Sequence, residues 1–381
     1  MVTLLLIIIY LAFIGLGLPD SLLGSAWPVM KLELNATTEM AGIIPFVVSL
    51  CTVASSLSAN KLLYKFGTGK VVIGSILSTS LALFCYSIVP NFALLIVGAV
   101  LLGFGAGAVD AALSNYVALH FKAKHMSWLH CFWGIGATAG PLVMALNLRE
   151  GNDWRGGFSA VAFILLGITV VLLLALPLWK LFESRIEQQD EEPKFMSSRE
   201  AVRIKGVKPA MLVMLCYNGS ETAVGLWAAS YLIASKGLEV NQAAAFSSLY
   251  FIGIIAGRIL SGFLSEKVSA KPLIRYGILI GALGLIVLIG SSSVVLAGVG
   301  LFVLGFGGAP IYPSIVHMTP ERFGKKASQS VIGLEMASAY TGSTVIPMLV
   351  GLSAGMMGLT VIPVVILALF VLMFISSVLV R

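Results

Sequence analysis

The chain has 381 residues, of which 58% are hydrophobic and 11% are charged, and its mean hydropathy is +1.00. Soluble proteins keep about a quarter of their residues charged, so this composition excludes a soluble globular domain and is typical of an integral membrane protein. The formal net charge is +7. The basic residues are spread over short loops between apolar segments, which argues against nucleic acid as a partner.

Apolar segments long enough to cross a membrane follow one another along the whole chain. A transmembrane helix needs roughly 20 mostly apolar residues, whereas a barrel strand has only about 10 with alternating polarity. The sequence therefore predicts an all-α integral membrane protein with twelve transmembrane helices, the first of them retained rather than cleaved as a signal peptide. Their approximate bounds are 4–30, 40–60, 70–89, 92–121, 127–148, 156–180, 209–235, 241–265, 272–290, 294–317, 328–352 and 357–380.

Lysine and arginine are concentrated in every second loop. Most of them lie after even-numbered spans, in the flank after span 6 and at the C-terminal residue, while the opposite side holds only Lys31, Arg149, Arg155 and Lys236. This asymmetry predicts that both termini are cytoplasmic. We expect a multi-pass protein of a bacterial cytoplasmic (inner) membrane or a plasma membrane.

The chain divides into two similar halves. The most hydrophilic stretch, 183–208, predicts a cytoplasmic linker between two six-helix bundles, 1–182 and 209–381. The sequence LGFG at 102–105 recurs at 304–307, and DSLLG at 20–24 is matched by ETAVG at 221–225, in both cases about 200 residues later. These matches predict pseudo-symmetric bundles.

Five stretches have a recognisable pattern of glycines and polar residues. They are LGFGAGAVDAALSNYVALHF (102–121), SWLHCFWGIGATAGP (127–141), YNGSETAVGLWAASYL (217–232), GIIAGRILSGFLS (253–265) and GFGGAPIYPSI (305–315). These stretches resemble the major facilitator superfamily, and within it the fucose permease-like and bacterial glucose/mannose:proton symporter group. The resemblance implies the major facilitator fold, with alternating access to a substrate site between the halves near the membrane midplane. Gly136-x-x-x-Gly140-Pro141 also resembles part of a motif of drug:proton antiporters.

Three acidic residues lie deep inside predicted spans, where a carboxylate is costly unless it faces a cavity or a partner. Counted along each helix, Asp20, Asp110 and Glu221 all fall near the midplane. In the symporter group an acid in span 1 and an acid in span 4 occupy the places of Asp20 and Asp110, so we predict that these two couple proton movement to transport. The alternative is a hydrogen bond across a helix interface.

Residues suited to holding a sugar lie on several spans. Glu221 can accept hydrogen bonds from hydroxyl groups, and Trp227 and Tyr231, which share a helix face, can stack on the C–H face of a sugar or attract an organic cation. Side-chain amides need buried partners, which sugar hydroxyls supply. The predicted substrate contacts are Glu221, Asn115, Asn218, Trp227, Tyr231, Tyr312 and His130.

Two further charges in spans are predicted to neutralise each other. Arg258 and Glu335 lie at similar depths, roughly 12–14 Å from the inner surface by helix rise. A paired arginine is tolerable there and an isolated one is not, so we predict a structural or gating ion pair. The alternative is a substrate carboxylate bound to Arg258.

The function that fits these features is secondary transport. No nucleophile–base pair, metal cluster or phosphate loop is recognisable in the sequence, so we predict no enzyme activity, no cofactor and no metal site. We expect proton-coupled uptake of a neutral sugar or similar polyhydroxylated solute, with Na⁺ as an alternative coupling ion. Efflux of drugs or organic cations by exchange, and a receptor or scaffold, are the alternative functions. The expected partners are a small-molecule substrate and the lipid bilayer, and we expect a monomer.

Overall fold

The structure is a computed structural model and describes residues 2–120, 123–149, 151, 153–183, 198–265 and 267–380. Within these residues it contains helices and no strand, which confirms the predicted all-α fold. Two short 3₁₀ turns, Thr38–Gly42 and Leu359–Val361, precede α3 and α16. The helices are α1 (Val2–Gly17), α2 (Leu22–Glu33), α3 (Ile43–Phe66), α4 (Thr68–Ile88), α5 (Phe92–His120), α6 (Ala123–Arg149), α7 (Trp154–Leu174), α8 (Leu176–Glu183), α9 (Ser198–Ala201), α10 (Val207–Lys236), α11 (Val240–Leu264), α12 (Ala270–Gly290), α13 (Val294–Gly308), α14 (Ile311–Phe323), α15 (Lys325–Met357) and α16 (Ile362–Leu379).

The helices account for the predicted spans. Nine helical stretches among the described residues are long and apolar enough to cross a membrane. Three long helices lie outside that set. Two of them, α10 and α15, have 30 and 33 residues and carry the acids Glu221 and Glu335. The third, α5, has 29 residues and contains the shorter apolar stretch Phe92–Gly107.

Prolines divide two spans into pairs of helices. Between α1 and α2 the chain makes a turn over residues 18–21, where the Leu22 N–H donates to the Pro19 carbonyl at 3.2 Å. Proline lacks an N–H and its ring clashes with the carbonyl of the preceding turn, which favours a kink or a break in the helix. The chain makes a similar turn at Ala309 and Pro310, which separates α13 from α14.

The chain divides into two compact units. The first comprises Met1–Asp190 and Glu239–Ser248, and the second comprises Glu191–Leu238 and Leu249–Arg381. The first turns of α11 therefore pack with the first unit. Most of the predicted linker 183–208 lies outside the described residues, so its bounds stay a prediction.

In the first unit, a close crossing of α1 and α6 positions the break in span 1. A Cβ atom on Gly17 would lie 2.1 Å from the Trp133 carbonyl oxygen, and one on Gly136 would lie 2.1 Å from the Ile14 carbonyl oxygen. Only glycine permits such an approach of two backbones. Just beyond the crossing, Ser21 Oγ donates to the Ala137 carbonyl at 2.9 Å, and the turn is held against α6.

In the second unit, α10 lies along α15. A Cβ atom on Gly342 would lie 2.0 Å from the Leu215 carbonyl oxygen, so the two backbones meet there. At the other end of α10, Trp227 Nε1 donates to the Pro347 carbonyl at 3.0 Å, with its ring against Gly351. These contacts fix the rotation of α10 about its own axis, and with it the direction of Glu221.

Candidate functional site

The first unit presents Asp20 at the turn between α1 and α2. The side chain is exposed, and Trp133 Nε1 on α6 donates to Asp20 Oδ2 at 2.7 Å. A short hydrogen bond to a carboxylate is about twice as strong as a bond between neutral groups. The turn frees the carboxylate from a regular helix, and the indole of Trp133 fixes its position.

Aromatic side chains extend from Asp20 along the α1–α6 crossing. Tyr10 stacks on Phe132 with ring centroids 4.5 Å apart and planes inclined by 10°. The Tyr10 hydroxyl lies 2.9 Å from Nδ1 of His125. His130, a predicted substrate contact, meets Phe13 edge to face at 5.9 Å. Tyr10 and Phe13 are buried, so these rings pack the α1–α6 crossing inside the first unit.

Two other predicted site residues of this unit lie on α5. Asp110 is half-buried in the continuous part of the helix. The side chain of Asn115 lies outside the part of the structure that is described, so its predicted contact is untested. The predicted proximity of Asp20 and Asp110 also stays a prediction.

The second unit pairs Arg258 with Glu221, which corrects the prediction that Arg258 pairs with Glu335. Arg258 Nη2 on α11 lies 3.9 Å from Glu221 Oε1 on α10, and the two side chains are 11% and 13% exposed. This distance is longer than a hydrogen bond, so these two atoms attract each other as opposite charges without a direct hydrogen bond. Glu335 interacts instead with Thr319, whose Oγ1 lies 3.0 Å from Oε1. Depth placed Arg258 and Glu335 at one level, but helix rotation directs them to different partners.

Two tyrosines border the Glu221–Arg258 pair. Tyr217 lies one turn before Glu221 on α10, and Tyr250 lies two turns before Arg258 on α11; both are buried and interact electrostatically with the pair. The Tyr217 hydroxyl has no hydrogen bond of standard geometry within the described structure. A buried hydroxyl beside two opposite charges adds a third polar group that can both donate and accept hydrogen bonds.

The remaining predicted contacts lie in different surroundings. Asn218 Nδ2 donates to the Met214 carbonyl at 3.0 Å, and the Tyr312 hydroxyl contacts Met336 Sδ at 3.2 Å; both side chains are half-buried. Trp227 is fully buried, and the buried Tyr231 donates to the Leu288 carbonyl at 3.1 Å. Trp227 and Tyr231 therefore pack the interior of the second unit, and this placement does not support their predicted role as substrate contacts.

Sequence reasoning missed Trp133, Tyr217 and Tyr250. Trp133 lies three residues before Gly136, and a predicted crossing of Gly17 with Gly136 would have brought it to Asp20. Tyr217 could have been found from its i, i+4 spacing to Glu221, whereas nothing in the sequence pointed to Tyr250. Among the described residues, no group of three or more His, Cys, Asp or Glu side chains is arranged to hold a metal ion.

Comparisons with known proteins agree on one family. Residues 9–347 match the family model described as Major Facilitator Superfamily. The glucose/mannose transporter GlcP of Bacillus subtilis (strain 168) is 24% identical over 352 residues, which cover 90% of this chain and 86% of that protein. A putative glucose/galactose transporter of Helicobacter pylori (strain J99 / ATCC 700824) is 24% identical over 323 residues, 79% of this chain and 76% of that protein.

A solved structure supports the fold independently of sequence. The crystal structure of a bacterial homologue of the human lysosomal transporter Spinster superposes with a TM-score of 0.70. The match covers 99% of this chain and 96% of that one at 12% sequence identity. Identity this low carries information about the fold and none about the substrate.

Proposed function

We propose that this chain, which belongs to the Major Facilitator Superfamily and is therefore a membrane transporter and not an enzyme, takes up a neutral sugar together with protons. The observation that carries the proposal is the Glu221–Arg258 pair with the Tyr217 hydroxyl beside it. The pair has no net charge, so a neutral polyhydroxylated ligand can bind without leaving either charge unmatched. The sugar substrates named for the two relatives support the same class of ligand.

Each unit would contribute a different part of the chemistry. In the second unit, Glu221 accepts hydrogen bonds from substrate hydroxyls and Arg258 donates them, with Tyr217 and Asn218 nearby. In the first unit, Asp20, exposed and held by Trp133, takes up and releases the coupled proton.

Asp110 completes the proposed coupling. A carboxylate midway along a membrane helix is retained at a cost and marks a proton or ion pathway by default. Asp110 lies on α5, half-buried. We assign it the second proton site, acting with Asp20, so that two carboxyl groups share protons as the substrate binds and leaves.

The test is transport by the purified chain in proteoliposomes. We expect labelled glucose to accumulate when the outside is made more acidic than the lumen. Asp110→Asn should retain exchange of labelled for unlabelled sugar and lose gradient-driven accumulation. Asp153→Asn is the matched control, because the same chemical change at the exposed cap of α7 should leave both activities unchanged.

Three results would contradict the proposal or part of it. Expulsion of cationic dyes without hexose uptake would replace it with proton-coupled efflux. Accumulation driven by Na⁺ alone would replace the coupling ion. Loss of exchange in Asp110→Asn would move Asp110 from coupling to binding or folding.

The Gly136-x-x-x-Gly140 motif does not favour efflux here, because Gly136 and Gly140 both pack against the backbone of the segment from α1 to α2.

A further inference from the structure

Glu335 on α15 differs from every other acid that the structure describes. Among the Asp, Glu, Lys and Arg residues that the structure describes, only Glu335 is fully buried, with 0% of its surface exposed. It lies ten residues into α15, about 15 Å from the start of that helix by the rise per residue. Neither the proposed substrate chemistry nor the proposed proton coupling uses it.

Among the described side chains, none of the lysines or arginines forms a salt bridge with this carboxyl group. One helical turn before Glu335, Val331 packs in a buried cluster with Val207 and Ala201. Glu335 therefore lies at the height of α9 and the start of α10. Within the described residues no salt bridge involves Glu335, and α16, which also packs on α15, carries no charged or titratable residue. The charged or titratable residues of the other packed elements at this level are Arg199 and Glu200 on α9, Lys208 on α10, and His317, Glu321 and Arg322 on α14.

The hydroxyl of Thr319 makes three short contacts. Its Oγ1 lies 2.9 Å from the Ile315 carbonyl oxygen, 3.0 Å from Glu335 Oε1 and 3.1 Å from Glu335 Oε2. A hydroxyl has one hydrogen and two lone pairs. If that hydrogen goes to the Ile315 carbonyl, an ionised Glu335 would face oxygen lone pairs only. If it goes to Glu335, this single hydroxyl is the only hydrogen-bond donor that the described residues give to a fully buried carboxylate.

A proton on Glu335 removes the buried negative charge and gives each hydrogen of this group an acceptor. The carboxyl O–H then donates to Thr319 Oγ1, and the Thr319 O–H donates to the Ile315 carbonyl, so that every hydrogen has an acceptor. An ionised carboxylate at this place would be buried with neither a counter-charge nor a sufficient set of donors, which is among the most costly arrangements in a protein interior.

We infer that Glu335 is a proton-binding site of the second unit, additional to Asp20 and Asp110, with Thr319 as its hydrogen-bond partner. Because the hydrogen bond joins α15 to α14, the proton can leave only when water or a cation reaches Glu335. Loss of the proton therefore requires that α14 and α15 separate locally. The site links protonation to the packing of these two helices and does not depend on which substrate is carried.

The test is infrared difference spectroscopy on the whole protein in lipid at neutral pH, without substrate. A protonated carboxyl group has a C=O stretching band that a carboxylate lacks. Wild type minus Glu335→Gln should show one such band per protein, because glutamine has nearly the same shape and no carboxyl group. Glu239→Gln, which removes an exposed acid, is the matched control and should remove no protonated band.

A second variant tests the partner and covers the case in which Glu335→Gln does not fold. Thr319→Val keeps the shape and removes the hydroxyl, so the same C=O band should shift to higher frequency as its hydrogen bond is lost. Absence of a protonated band in wild type minus Glu335→Gln would overturn the inference, and so would an unchanged C=O region in Thr319→Val. Neither measurement involves sugar or a pH gradient, so their failure is distinct from failure of the proposed function.

Discussion

At the scale of single residues, the Glu221–Arg258 pair brings two opposite charges together inside the second unit. The two groups lie 3.9 Å apart and are mostly withdrawn from solvent. Removing one partner would leave the other charge buried and unmatched, which typically costs about 3–5 kcal/mol. Removing both costs less, because neither charge is then left without a partner.

We therefore expect strong coupling in a double-mutant cycle of Glu221→Gln and Arg258→Gln. Each single variant should lower the free energy of unfolding in detergent by about 3–5 kcal/mol, and the double variant by clearly less than the sum of the two. Glu33→Gln with Arg155→Gln is the control cycle. That pair is closer, at 2.9 Å, but its side chains are 50% and 32% exposed, so its coupling should be about 0–1 kcal/mol.

Additive effects at Glu221 and Arg258 would show that the pair is not formed in the membrane protein. The sequence could predict that Arg258 needs an acidic partner, because an isolated arginine at that depth is unfavourable. It could not choose between Glu221 and Glu335, because the choice depends on the rotation of α10, α11 and α15. That rotation is set by packing contacts such as Trp227 against Gly351 and Gly342 against Leu215.

At the scale of helices, the two halves differ in backbone shape at one pair of positions that the internal repeat matches. Asp20 and Glu221 occupy equivalent places in the two halves, yet Asp20 lies in a turn and Glu221 lies inside the continuous helix α10. Pro19 accounts for the difference, because Ser220 stands at the corresponding place of the second half. A repeat argument could therefore find both acids, while only the proline indicated that one of them is freed from its helix.

The α1–α6 crossing carries a prediction about helix packing. Gly136→Ala should destabilise the protein by about 1–3 kcal/mol, because the added methyl would lie 2.1 Å from the Ile14 carbonyl oxygen and two backbones would have to separate. Separation would also move Trp133 away from Asp20. The measurement is thermal unfolding in detergent, followed by proton-driven uptake in proteoliposomes.

Gly167→Ala on α7 is the matched control for this crossing. A Cβ atom at Gly167 would have no neighbour within 4 Å, and alanine favours a helix over glycine by about 1 kcal/mol. This variant should be unchanged or slightly more stable. Equal effects of the two substitutions would show that helix propensity, and not the close crossing, determines stability at Gly136.

At the scale of the whole molecule, hydropathy was sufficient to predict the helices, because a membrane span must be both long and apolar. The helices α10 and α15 are predictable by length even though Glu221 and Glu335 make them more polar. The arrangement of side chains around the site was predictable only in part. Sequence identified Asp20 and Glu221, whereas their partners Trp133 and Arg258 depend on contacts between helices distant in sequence.

The orientation of the molecule in the membrane is a prediction of the basic-residue pattern. Ser269 lies in the loop before α12, which the positive-inside rule places in the cytoplasm, and Ser292 lies in the loop after α12, which it places outside. In a background without native cysteines, Ser292→Cys should react with a membrane-impermeant maleimide on intact cells. Ser269→Cys should react only after the membrane is opened. Both serines are exposed loop residues at opposite ends of one helix, so each variant controls for the reactivity of the other. The opposite labelling pattern would reverse the assignment of both termini. It would also reverse the side of the membrane nearer to the proton-binding site proposed at Glu335.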